Sequence, residues 1–208
     1  MPFDLWITFV AASTALLLIP GPTVLLVLSY ALSQGRRVAL ASAAGVALGD
    51  LIAMTASLLG LGALVLASAT LFTLLKWAGA IYLVWMGVKL LRAPRSEGLD
   101  TVATAGTTPR RVFTHAAAVT ALNPKSIAFF IAFVPQFVSV GTALVPQFAI
   151  LIATFVGLAA LNALAYALLA DRLRMTIKRP SVITWLTRGG GAALVGMGLM
   201  TATLRRAP

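Results

Sequence analysis

Six long runs of apolar residues, separated by short polar stretches, dominate the pattern of this 208-residue chain. Each run is long enough to cross a hydrocarbon layer of about 30 Å as an α-helix, which takes about 20 residues. The runs have approximate cores at residues 5–32, 38–66, 71–91, 112–138, 144–170 and 182–204. The pattern predicts an all-α integral membrane protein with six transmembrane helices in one transmembrane domain, residues 1–208.

Composition supports the membrane assignment and narrows the chemistry. The chain is 60% hydrophobic and only 10% charged, with a mean hydropathy of +0.99, which is far more apolar than an ordinary soluble domain. It has no cysteine and a single histidine, His115. Thiol redox chemistry, thiolate metal ligation and a His-rich metal site are therefore excluded, and we expect neither a cofactor nor a metal.

The net charge of +11 is distributed as a topology signal and not as a nucleic-acid surface. Lys and Arg are concentrated in the connections at residues 34–37, 92–111 and 171–181, whereas residues 67–70 and 139–143 contain none. The positive-inside rule then predicts that the basic connections are cytoplasmic and that both termini are outside. The basic connections can also bind anionic lipids.

Two short interruptions by proline carry most of the functional information. The first is Pro20, Gly21 and Pro22 in the first run, and the second is Asn123, Pro124 and Lys125 in the fourth. A broken helix inside lipid is tolerated only where protein or a watery cavity receives the freed backbone groups. Two such breaks at corresponding positions favour a transporter whose substrate binds at the breaks. The alternative is that the prolines only kink these helices for packing.

The two halves of the chain also share a spaced pattern. Gly45 and Asp50 in the second run recur as Gly157 and Asn162 in the fifth, at one constant offset. Because each half has an odd number of runs, a duplicated half would insert upside down, as in transporters with inverted repeats. We therefore predict a first repeat at about residues 1–91, a cytoplasmic linker at about 92–111 and a second repeat at about 112–208.

These motifs together resemble the LysE/RhtB family of amino-acid exporters. The resemblance rests on residues 19–22, on the run Gly45-Val46-Ala47-Leu48-Gly49-Asp50, on residues 76–83 with Gly87, on Asn123-Pro124-Lys125 with Phe129 and Phe130, and on Pro135-Gln136-Phe137. It spans nearly the whole chain. It implies a small inner-membrane exporter of amino acids or close derivatives that is driven by the proton gradient, and it does not choose the substrate.

Asp50 is the single residue that points most directly to a function. A carboxylate near the middle of an apolar helix costs about 2.5–3.5 kcal/mol on insertion scales unless it is protonated or paired. Competition of a proton and a substrate ammonium for this carboxylate would give a simple antiport device. The alternative is a permanent structural ion pair with Lys125.

The other candidates are polar groups near the breaks. Lys125 could hold a substrate carboxylate, pair with Asp50 or extend to an interface. Asn123 could cap the helix after its break, and Asn162 could be a polar partner near Asp50, although such amides also serve as helix–helix contacts. Tyr166 could donate a hydrogen bond to substrate, but aromatic residues more often pack or lie at membrane interfaces, and we favour that role.

The sequence and the resemblance thus favour a secondary active transporter and not an enzyme. It would export amino acids or close derivatives, with protons and membrane lipids as its other partners. Asp50, Asn123, Lys125 and Asn162 are spread over four helices and suit a small binding cavity better than a catalytic cluster. Three alternatives remain open: an exporter of a metal ion, an exporter of another small solute in a related six-helix fold, and a membrane protein that does not transport. A homodimer is one arrangement that so small a unit permits.

Overall fold

The structure, a computed structural model, describes residues 1–19, 21–93, 107–138, 142–177 and 180–203. Within these ranges the chain forms eight α-helices and one 3₁₀ turn, and no strand. They are α1 Phe3–Leu18, α2 Pro22–Gln34, α3 Arg36–Ala67, α4 Ala69–Leu91, α5 Pro109–Ala121, α6 Pro124–Ala132, the 3₁₀ turn Val134–Phe137, α7 Leu144–Ile177 and α8 Pro180–Thr203. The prediction of an all-helical protein is confirmed.

Several of these helices are suited to a membrane. In the described part of the chain, α3, α4 and α7 are long and apolar enough to cross one, and the bent pairs α1/α2 and α5/α6 raise the number to as many as five. Helix α8 is long enough, but Arg188 and the glycines that follow it lower its hydropathy. The six-helix count, the inverted arrangement and the side of each terminus therefore stay predictions.

The bent pairs coincide with the two proline motifs. Helices α1 and α2 meet at 57°, and α5 and α6 meet at 44°. Pro22 and Pro124 each begin a helix, where the missing N–H is not needed and the fixed φ suits the first turn. Pro20 lies outside the described residues.

Some predicted connections were wrong in length. Only Gly35, with a φ of 79°, separates α2 from α3, and only Ser68 separates α3 from α4. Helix α7 continues to Ile177 through most of the predicted connection at residues 171–181, because Arg, Leu and Met favour a helix whether or not it has left the lipid. The fourth run contains a further interruption, since α6 ends at Ala132 before a turn that contains Pro135.

Glycines bring α3 into close contact with α5. An added Cβ at Gly49 would lie 2.6 Å from the carbonyl oxygen of Ala117, and one at Gly45 would collide with that of Phe113. A similar contact joins α4 and α8, where a Cβ at Gly87 would lie 2.6 Å from the carbonyl oxygen of Gly191. Small residues allow such close approach between membrane helices. These contacts fix α3, which carries Asp50, beside the second break.

An aromatic cluster fills the interior on the other side of the breaks. Phe9 of α1 meets Phe137 edge-on at 5.2 Å between ring centroids, and Phe133 lies 5.2 Å from both Phe137 and Phe129. Phe155 of α7 stacks against the same group at 5.9 Å from Phe129. All five rings are at most 2% exposed. This cluster closes one side of the region where the helices are interrupted.

We expect Gly49→Ala to lower the apparent Tm of the purified protein, because the new Cβ must push α5 away. Overpacking of this kind costs about 1–3 kcal/mol. Gly60, on the same helix, is a matched control, since a Cβ there has nothing within 4 Å. Gly60→Ala should leave the Tm unchanged or raise it through the better helix propensity of Ala. Thermal unfolding followed by tryptophan fluorescence measures both, and equal Tm values for the two variants would contradict the α3–α5 contact.

Candidate functional site

One enclosed cavity lies where both broken helices meet α3 and α7. Five of the eight predicted site residues line it: Gly21, Asp50, Asn123, Lys125 and Asn162. The remaining lining residues are Leu16, Leu17, Thr23, Val24, Val27, Val46, Ser126, Ala159, Ala163 and Tyr166. Residues far apart in the sequence thus form a single polar pocket inside an apolar protein.

The C-terminal end of α1 presents backbone carbonyls to this cavity. The Lys125 ammonium donates to the carbonyl oxygens of Leu16, at 3.2 Å, and Ile19, at 3.1 Å. The Asn162 amide donates to that of Leu17 at 3.1 Å. The last carbonyls of a helix have no intrahelical N–H partner and form its negative end. Two polar side chains from other helices therefore complete the hydrogen bonding of the first break.

Asn123 organises the second break and connects it to the first. Its Oδ1 accepts from the Lys125 backbone N–H at 3.1 Å, which caps α6. Its Nδ2 donates to the Thr23 hydroxyl at 3.2 Å, and that hydroxyl lies 3.4 Å from the hydroxyl of Thr120. Asn123 is only 4% exposed. One buried amide thus holds the start of α6 against the start of α2.

Asp50 faces the same cavity from α3 and is 2% exposed. Its carboxylate and the Lys125 ammonium are close enough to interact electrostatically. Within the described part of the chain they nevertheless form no salt bridge of 4.0 Å or less, because the ammonium is directed to the carbonyls of Leu16 and Ile19. The acidic and the basic side chain are therefore near one another without a direct contact.

The prolines of the two motifs that the structure describes lie outside the cavity. Pro22 and Pro124 are exposed and do not line the cavity, and Pro20 lies outside the described residues. The structure therefore brings the prolines to the helix starts and their neighbours to the cavity.

Three lining residues were missed or undervalued by the sequence interpretation. Thr23 and Ser126 each lie within two residues of a proline that begins a helix. This closeness to the breaks could have identified them as lining residues. Tyr166, for which packing was favoured over a hydrogen bond to substrate, lines the cavity. It lies one helical turn after Asn162 on α7, so the helical period could have placed it on the same face.

The cavity offers groups for a small molecule that carries both charges. It combines an ammonium, a carboxylate, helix-end carbonyls, two side-chain amides and hydroxyls within an apolar wall. The described residues contain no cluster of three His, Cys, Asp or Glu side chains that could hold a metal ion. The space that the centre of a water molecule can reach is about 30 Å³, so the cavity is narrow.

Comparison with known proteins gives one family and several relatives. Residues 14–204 match the family described as LysE type translocator. A homoserine/homoserine lactone efflux protein of Salmonella typhimurium is 34% identical over 207 residues, which cover the whole of both chains. An uncharacterized membrane protein of Vibrio cholerae is 32% identical over 205 residues, 99% of this chain and all of the relative. A leucine efflux protein of Klebsiella pneumoniae is 30% identical over 136 residues, 65% of this chain and 64% of the relative. No solved structure matches the chain.

We expect Asn123→Ala to destabilise the protein by about 2 kcal/mol or more, through loss of the α6 cap and of the buried bond to Thr23. Thr108→Ala is a matched control, because Thr108 also caps a helix that begins with proline, but is exposed. It should cost about 1 kcal/mol. Thermal unfolding compares the two variants. A smaller loss for Asn123→Ala than for Thr108→Ala would contradict the role of Asn123 as the connection between the breaks.

Proposed function

The chain belongs to the LysE type translocator family, and on this premise we propose that it exports an amino acid or a close derivative from the cytoplasm by secondary active transport. It is a transporter and not an enzyme. The names of its relatives, which specify efflux of homoserine, homoserine lactone and leucine, support this class of substrate. The basic connections support an inner-membrane location with both termini outside.

The observation that carries the proposal is that both charges of a zwitterion have partners in one cavity. The negative end of α1 lies there, together with the positive, N-terminal ends of α2 and α6. A substrate ammonium would bind toward the α1 carbonyls and Asp50. A substrate carboxylate would bind toward Lys125 and the starts of α2 and α6, where free backbone N–H groups favour an anion. The two breaks thus form the substrate-binding site, and Asn123 and Asn162 hold the broken helix ends in place through their hydrogen bonds.

Proton coupling is assigned to Asp50. A carboxylate that is 2% exposed is stabilised in an apolar interior by a proton or by a nearby cation. Substrate ammonium and proton are alternative ways to neutralise it. Binding of substrate from the cytoplasm then releases the proton, and a proton from outside displaces the substrate. This competition gives antiport without a second ion site.

We expect the helices to move when substrate enters, because the centres of water molecules can reach only about 30 Å³ of the cavity, which is narrow for an amino acid. A larger opening of about 490 Å³ lies further along α2 and α7, lined by Ala31, Arg36 and Ala167 among others. Ala167 is one helical turn from Ala163, which lines the cavity. We assign this seam as the cytoplasmic entry, where Arg36 attracts the substrate carboxylate. The aromatic cluster around Phe133 closes the opposite side.

Everted membrane vesicles test the proposed export directly. With an imposed proton gradient, we expect uptake of one or a few labelled amino acids from a panel that includes homoserine and leucine, and loss of that uptake with an uncoupler. Asp50→Asn should reduce uptake to the level of empty membranes. Asp4→Asn is the matched control, because Asp4 is exposed in the first turn of α1, and it should transport normally.

Each result discriminates among the alternatives. If no amino acid moves above the empty-membrane level, the exporter proposal fails, and metal ions or other small solutes become the candidates to test. If transport persists unchanged in Asp50→Asn, amino-acid export stands and the coupling role of Asp50 is refuted.

Exchange measurements separate a proton role of Asp50 from a role in substrate binding. We expect Asp50→Asn to retain exchange of labelled for unlabelled substrate without a gradient, and to lose only the response to the gradient, because an amide can accept from an ammonium but cannot carry a proton. Wild-type protein and Asp4→Asn should show both activities. Loss of exchange together with gradient-driven uptake would instead place Asp50 in direct contact with substrate.

A further inference from the structure

The ammonium of Lys125 occupies an unusual position. It reaches from the start of α6 to the C-terminal end of α1, where it donates to the carbonyl oxygens of Leu16 and Ile19 at 3.2 and 3.1 Å. A substrate ammonium would seek the same acceptors. We infer that these two carbonyl oxygens form a seat for a primary ammonium group, that Lys125 fills the seat when substrate is absent, and that the substrate's ammonium displaces it. This inference rests on the proposed function.

The geometry of the seat suits a primary ammonium. Asn162 donates to the carbonyl oxygen of Leu17, and the ammonium bonds to those of Leu16 and Ile19. The Leu16 oxygen also accepts from the Ile19 backbone N–H at 3.3 Å, so its second lone pair serves the ammonium. Gly21 leaves room beside it, because an added Cβ there would lie 3.2 Å from the Lys125 nitrogen. The negative end of α1 adds to the attraction. The seat is therefore formed by backbone on one helix and is shaped by side chains from two others.

Displacement would also keep the buried charges balanced. A buried ammonium without partners is strongly unfavourable, so the substrate can enter only if Lys125 gains a new partner as it leaves. Asp50 and the substrate's carboxylate or carbonyl oxygen both lie within the same cavity in this scheme. One ammonium thus replaces another on the α1 carbonyls, while Lys125 turns toward an oxygen that the substrate brings.

A rule for substrates follows from this exchange. A ligand must carry a primary ammonium to displace Lys125 and a nearby acceptor oxygen to receive it. Simple alkylamines lack the second group and carboxylic acids lack the first, so neither should bind the wild-type protein well. Removal of the Lys125 side chain beyond Cβ should open the seat to simple alkylamines.

The test uses Lys125→Ala with n-propylammonium, which supplies the atoms that the substitution removes. We expect Lys125→Ala to have a lower apparent Tm than wild type and n-propylammonium to raise it in a saturable manner. Tetramethylammonium has the same charge but no N–H donor, so its apparent affinity should be about tenfold or more weaker. If the variant is not recovered in ordinary buffer, purification in n-propylammonium should yield monodisperse protein, and purification in tetramethylammonium should not.

Wild type and Lys89→Ala serve as controls. Lys89 lies over the Trp85 ring at 5.3 Å, away from the cavity, and neither protein should respond to n-propylammonium. The inference is overturned if Lys125→Ala is neither stabilised nor recovered by n-propylammonium, if tetramethylammonium acts equally well, or if wild type responds as strongly as the variant.

The vesicle assay distinguishes the ammonium seat from the proposed amino-acid export. Amino-acid uptake by wild type without rescue of Lys125→Ala would refute the ammonium seat and leave the exporter proposal intact. Rescue of Lys125→Ala without amino-acid uptake by wild type would establish the seat and refute amino-acid export.

Discussion

The structure depends on one constraint: backbone groups freed by a helix break in a membrane interior must find partners within the protein. At the first break, Lys125 and Asn162 donate to the last carbonyls of α1. At the second, Asn123 caps α6 and also holds Thr23. The first break is therefore satisfied by residues of the second half of the chain, whereas the second break is capped by its own Asn123, which also bonds to the first half. The first break depends on α6 and α7 for its partners, and the second is tied to α2, which is why Asn123, Lys125 and Asn162 converge on one cavity.

Close packing of the long helices makes this convergence possible. Gly45 and Gly49 let α3 approach the backbone of α5, and α5 leads directly into the second break. Asp50 follows Gly49 in the chain, so the contact that fixes α3 also fixes the carboxylate. A bulkier residue at Gly49 would push α3 away from α5 and so shift the backbone that carries Asp50. Packing and electrostatics are thus two consequences of the same helix contact.

Much of this arrangement could be predicted from the sequence, and there is a physical reason why the rest could not. Apolar length predicted the long helices, and the proline motifs predicted where α1 and α5 end, because both signals are local. The cost of a charge in lipid identified Asp50 and Lys125 as residues that need partners. Their actual partners could not be predicted: the ammonium bonds to carbonyls of α1, and backbone acceptors leave no mark in a sequence. Tyr166 was undervalued for a similar reason, since which face of α7 meets the cavity is decided by packing.

The same features that stabilise the protein without substrate can explain how it selects one. The narrow cavity holds an acidic and a basic side chain, Asp50 and Lys125, that interact but do not form a direct salt bridge. If Asp50 and Lys125 were tightly joined, a substrate would have to break that pair before gaining any contact of its own. Because Lys125 instead bonds to the α1 carbonyls, its displacement returns an equivalent ammonium to the same acceptors and frees a cation for the substrate's oxygen. In the proposed exchange the cavity stays closed without substrate. It opens only for a molecule whose ammonium takes the place of Lys125 on the α1 carbonyls and whose oxygen accepts the displaced Lys125.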